Sequence, residues 1–195
     1  MSAVRNLHGP LLPASVRGGV FENSDVLPGR TGVMIPGTGV STGTGTVYTD
    51  FIYRIGDVIK TEIFVDLTGL ASSTAGDIIG VDGGTANCHF GRVTTVNNGL
   101  IFRGSISCVE TPATGEDDID VWSADEATGA EDAAVSTLTE TAIQDAGANY
   151  TKGVKKDFTG NVVANQYLYL ASSGGGTAGV YTAGQFLIEM WGFVV

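Results

Sequence analysis

The 195 residues carry 21 acidic and 10 basic side chains, a formal net charge of −11, which excludes the basic surface that nucleic-acid binding demands. Two cysteines are too few for a disulfide scaffold, and no stretch approaches the eighteen apolar residues of a membrane-spanning helix, so neither nucleic acid nor membrane is an expected partner. With 29 glycines, 43% hydrophobic and only 16% charged residues, and Thr, Val and Ile prominent, the composition suits a turn-rich β protein rather than a helical one.

The start, Met1-Ser2-Ala3-Val4-Arg5-Asn6, has no apolar signal core, so the chain is expected to be made in the cytoplasm. Residues 1–45 hold Pro10, Pro13, Pro28 and Pro36 and the run Gly37-Thr38-Gly39-Val40-Ser41-Thr42-Gly43-Thr44-Gly45, with no sustained period. They read as an extended arm ahead of a single domain at 46–195. Arg5, Arg17 and Arg30 are its candidate polar anchors on a neighbouring subunit or shell, and Leu11, Leu12, Phe21, Met34 and Ile35 its apolar ones.

From Val47 the pattern alternates with period two. In Val58–Leu67, Ile59, Ile63, Val65 and Leu67 share one face and Lys60, Glu62 and Asp66 the other, which predicts a half-buried strand. Asp77–Val81 predicts a shorter strand ended by Asp82-Gly83-Gly84. Asn87–Val109 reads as a hairpin with Asn97-Asn98-Gly99 at its tip, setting Val96 opposite Leu100, Thr94 opposite Phe102, Phe90 opposite Ile106 and Cys88 opposite Cys108. Both cysteines are read as reduced core residues. Ile119–Trp122, Gln166–Leu170 and Gln185–Val195 are further strands, and Val135–Ala146 is a candidate short helix. The C-terminal strand is too apolar to fray; Phe186, Ile188, Met190, Trp191 and Phe193 are expected in the core or at the centre of a trimer. Together these elements predict an all-β fold, an antiparallel β-sandwich or jelly roll with an extended N-terminal arm.

Nothing in the chain carries a reaction signature. His8 and His89 have no ligand partners at useful spacing, and there is no His-Glu-x-x-His, Cys-x-x-Cys or Gly-x-Ser-x-Gly. Gly37-Thr38-Gly39 with Gly43 lacks the spacing and lysine of a phosphate loop. Glu116-Asp117-Asp118-Ile119-Asp120 is read as a solvated acidic edge rather than a cation site, with Asp118 and Asp120 outward. The expectation is a non-enzyme with no catalytic residue, no metal and no cofactor.

From Ile119 onward several phrases occur in order: Ile119-Asp120-Val121-Trp122-Ser123-Ala124-Asp125-Glu126, Leu138-Thr139-Glu140-Thr141, Ala164-Asn165-Gln166-Tyr167-Leu168-Tyr169-Leu170, and Ala178 to Glu189. This pattern resembles small virion structural proteins of tailed bacteriophages, of the decoration or head-associated kind. The resemblance implies a β-sandwich or jelly roll, commonly a homotrimer, that sits on the capsid surface and stabilises the head by binding the major capsid protein. Trimeric attachment gains avidity from several weak contacts acting together. The competing expectation is a receptor- or glycan-binding head fibre or tail component, with Tyr48, Tyr53 or Tyr181 as sugar-stacking rings.

Overall fold

A computed structural model describes residues 29–145, 147, 149–174 and 178–195, with side chains from residue 33. The strands are β1 (Gly29–Gly32), β2 (Val47–Ile55), β3 (Val58–Asp66), β4 (Ala71–Ser72), β5 (Leu100–Ala113), β6 (Ile119–Ala124), β7 (Glu140–Gln144), β8 (Lys155–Asp157), β9 (Tyr167–Ser172), β10 (Gly179–Val180) and β11 (Ala183–Phe193). They form a six-stranded sheet in the order β1-β2-β3-β11-β5-β8, a three-stranded sheet β7-β6-β9 and the small pair β10-β4. All pairings are antiparallel, so the protein is all-β.

The alternation in β3 does what period two dictates. Ile59, Thr61, Ile63 and Val65 are buried while the residues between them are half-buried, and Leu67 follows into the core. The C-terminal strand is held between β3 and β5, with Phe186 opposite Val65 and Cys108, and Ile188 opposite Ile63 and Ile106. No edge is left on this most apolar strand. Phe186, Ile188 and Met190 join Ile78, Phe90, Val121 and Leu170 in one continuous core.

The hairpin expected over Asn87–Val109 is absent. Thr95–Asn98 instead makes one helical turn, capped by Thr94, whose Oγ1 accepts from the Asn97 N–H at 3.1 Å. Asn98 is fully buried: its Oδ1 accepts from the Thr94 N–H at 2.8 Å and its Nδ2 donates to Thr61 Oγ1 at 2.9 Å. Gly99 follows at φ +74°, and a Cβ there would lie 2.5 Å from the Phe193 carbonyl oxygen. Residues 88–93 run along β9, with Phe90 N–H donating to Leu168 O and Leu168 N–H to Gly91 O. Strand β5 takes β11 as its partner, since that long strand matches it over a longer apolar register than residues 88–93 can. Cys88 and Cys108 are therefore not paired; both are buried free thiols, and burial raises their pKa, that of Cys88 to about 11. The helix expected over Val135–Ala146 is a single 3-10 turn, Val135–Thr137, followed by β7. The β-branched Thr141 and Ile143 favour the strand, and Ile143 is buried by it.

The arm does not end where the domain begins. β1 pairs with β2, setting Arg30 opposite Tyr53. Beyond it the Met34 N–H donates to a carboxylate oxygen of Asp50 at 3.1 Å, and Met34 and Val40 are buried in the core. Gly37 N–H donates to His89 O at 2.8 Å and Gly39 N–H to Asn87 O at 3.1 Å. Glycine is needed there: a Cβ on Gly37 would sit 1.9 Å from Asn87 O. Residues 29–45 thus belong to the domain. Of the apolar residues expected to hold a partner, Met34 is used for the chain's own core, while Ile35 stays exposed.

Candidate interaction face

One face of the six-stranded sheet packs on the core, and the other carries an unusual concentration of apolar and aromatic groups. Pleating sends Phe51, Tyr53 and Ile55 of β2, Phe64 of β3, and Leu187, Trp191 and Phe193 of β11 to this outer face, opposite the buried Ile52, Ile63, Ile188 and Met190. The register aligns Ile55, Val58, Phe193 and Leu100 in one row across β2, β3, β11 and β5. Of these Ile55 is 52%, Phe193 50% and Leu100 59% exposed. A bulge lies beside the row, where the pairing jumps from Trp191–Arg103 to Gly192–Ile101. It brings Phe102 beside Arg103 on this side, and the Phe102 ring stacks on Phe193 at 4.3 Å between centroids. The apolar row thereby ends in an exposed aromatic pair.

Next to it stands a charged aromatic cluster. Trp191 is half-buried with Arg103, Lys60 and Lys155 around its ring, at 5.1, 5.2 and 6.0 Å from the centroid. Glu189 holds two of these cations, at 2.7 Å from Lys60 and 3.7 Å from Lys155, and Glu62 lies 2.6 Å from Lys60. Burial opposes the Lys60 charge, but the hydrogen bonds to Glu189 and Glu62 outweigh it and raise its pKa. The ammonium therefore stays charged, and the Trp191 ring is fixed among cations that confer both charge and apolar area on the sheet centre.

The expected site residues separate by position. Phe186, Ile188 and Met190 face the core, whereas Trp191 and Phe193 lie on the outer face. Met34 is core, and Ile35 is 73% exposed. Arg30 lies in β1, and Arg5, Leu11, Leu12, Arg17 and Phe21 lie outside the described residues. Of the tyrosines, Tyr181 is buried and its hydroxyl donates to Glu116 O, and the Tyr48 hydroxyl donates to Phe90 O; only Tyr53 reaches the outer face.

The acidic segment is not a solvated edge. Glu116, Asp118 and Asp120 are all buried, with Lys156 3.8 Å from Asp118. Burial, then the charges of Asp145 and Asp118, push Asp120 up to about 6. Glu116 Oε1 accepts from the Asp117 and Asp118 N–H groups, which shapes the turn into β6. Among the described residues no group of His, Cys, Asp or Glu is placed to hold a metal ion. Phe51, Phe102, Leu100 and the cations around Trp191 were missed at the sequence level. Cross-strand alignment, not any local motif, assembles them. Comparison with protein families, curated proteins and solved structures gives no match.

Proposed function

We propose that the chain is a non-enzymatic structural protein of a tailed-phage particle, a capsid decoration or cement protein of β-sandwich architecture. In this reading it binds the major capsid protein at the capsid surface and associates as a homotrimer through the outer face of the six-stranded sheet. The observation that carries it is the apolar row Ile55–Val58–Phe193–Leu100, exposed at all but the half-buried Val58, with Phe102 stacked at its end. Contiguous apolar surface of this kind marks interaction sites on soluble proteins, because leaving it in water costs about 25 cal/mol per Å². Its rim of Lys60, Arg103 and Lys155 supplies the directional polar contacts of an interface border. The remaining acidic surface, net −11 for the chain, complements a basic patch on a shell subunit. A modest domain holds a shell firmly when three copies act together.

Adding the purified protein to particles stripped of it tests the proposal. Saturable binding, with occupancy lost in a Leu100→Ser, Phe193→Ser double variant that still unfolds cooperatively, is the expected result. Undiminished occupancy of the variant removes this face from the docking surface.

A further inference from the structure

We propose that the cleft between residues 35–38 and the segment 87–97 is a binding site for an acidic saccharide, a sugar ring bearing a carboxylate. The cleft has a volume of about 510 Å³, within the roughly 300–1,000 Å³ of small-molecule sites. Tyr167, His89, Arg92, Asn87, Asn97 and Thr94 line it, with Ile35 and Pro36 on the apolar side. None of these residues belongs to the outer face described above, and the inference does not rest on the docking reading.

Its walls are preformed. Gly37 N–H to His89 O and Gly39 N–H to Asn87 O tie the two segments together, and the bridge between Arg92 and Tyr167 ties the second to β9. A ligand would not have to order these walls, which lowers the cost of binding.

The chemistry of the lining selects the class. Tyr167 provides a ring against which the apolar C–H face of a sugar can stack, backed by His89 at 4.7 Å between centroids. Asn87 and Asn97 each bring an amide with both donors and an acceptor, the complement of neighbouring sugar hydroxyls. Thr94 Oγ1 already accepts from Asn97 N–H, so its hydroxyl hydrogen is left to donate. Although acidic residues outnumber basic ones two to one in the chain, none of the described residues lining this cleft is acidic. Burial lowers the His89 pKa, leaving Arg92 as the cation of the lining at neutral pH. The Arg92 Nε donates to Asn165 O at 2.9 Å and the guanidinium lies 5.5 Å from the Tyr167 ring centre, which anchors it. It makes no ion pair among the described residues, so its terminal nitrogens suit a carboxylate fork.

Titration of the ¹⁵N-labelled full chain with digalacturonic acid, and separately with the neutral galactobiose at equal ionic strength, tests this. The expected result is amide shifts confined to Arg92, Thr94, Asn97, Tyr167 and their neighbours, with the acidic disaccharide bound at least tenfold more tightly. Arg92→Gln should bring the two affinities within about twofold, and Asn97→Ala should weaken both, each with an unchanged melting temperature. Inorganic phosphate at the same concentration should not displace the sugar. No shift with either disaccharide at millimolar concentration, equal affinities in the parent protein, shifts outside the cleft, or displacement by phosphate would each overturn the assignment.

Discussion

The Phe102 and Phe193 rings stack with centroids 4.3 Å apart and planes inclined by 22°, yet each side chain keeps half of its surface in water. A pair of this kind contributes only about 0.5–1.5 kcal/mol beyond its area. Its exposure is therefore better explained by an interface than by the fold. Phe193→Ser should lower stability by about 1 kcal/mol while weakening self-association at least tenfold, read by analytical ultracentrifugation. A parent protein that stays monomeric at micromolar concentration contradicts the trimer, and a variant that associates as before contradicts this surface.

Asn98 joins the helical turn to the sheet through a part-buried hydrogen bond from the Thr94 N–H and a buried one to Thr61 Oγ1. Asn98→Ala leaves the buried Thr61 hydroxyl without this bond and frees the half-buried Thr94 N–H. An unpaired buried group costs about 1–3 kcal/mol, so urea unfolding should show a loss of about 1–3 kcal/mol. A loss under about 0.5 kcal/mol would mean that water replaces the side chain.

Met34 and Val40 make residues 29–45 part of the core. Met34→Ala should cost about 2–4 kcal/mol. A chain starting at residue 46 loses Met34, Val40 and the β1 pairing together, and should melt far below the parent or not cooperatively at all. If the chain starting at 46 melts within a few degrees of the parent, this segment is an appendage after all.

Asp120 sets a pH dependence. Its pKa rises from 3.8 to about 6 in the folded protein, through burial and then the charges of Asp145 and Asp118. The folded state thus binds this proton more tightly than the unfolded state. Its contribution is fully present below about pH 4 and is lost as pH rises through about 6. Asp120→Asn should therefore be more stable than the parent at pH 7.5, with the advantage gone at pH 4. Equal melting temperatures at pH 7.5 would show that Asp120 ionises there without cost.

Strands with an unbroken alternation were legible in the sequence. Ile59, Ile63 and Val65 in β3, and Phe186, Ile188 and Met190 in β11, are buried as their spacing requires. Trp191 and Phe193 were grouped with Phe186, Ile188 and Met190 as core or trimer-centre residues by their apolar character, whereas their parity places them outward with Glu189. The turn at Asn97-Asn98-Gly99 was recognised, but its partner strands were not. A local signal of this kind fits a hairpin or a capped helical turn equally, and the pairing is decided by β11, some 90 residues further on. Strand β8, Lys155–Asp157, is polar and short, and pairs only because β5 offers a free edge. The exposed row and the cleft each draw residues from several distant segments, so no window of sequence contains them.

A density map of the native phage particle tests the proposed function most directly. It should contain this fold at the capsid surface in trimeric clusters, with the side carrying Ile55, Leu100, Phe102, Trp191 and Phe193 against neighbouring copies or the major capsid protein. Particles that lack the fold, or that carry it with this side open to solvent, would contradict the proposal.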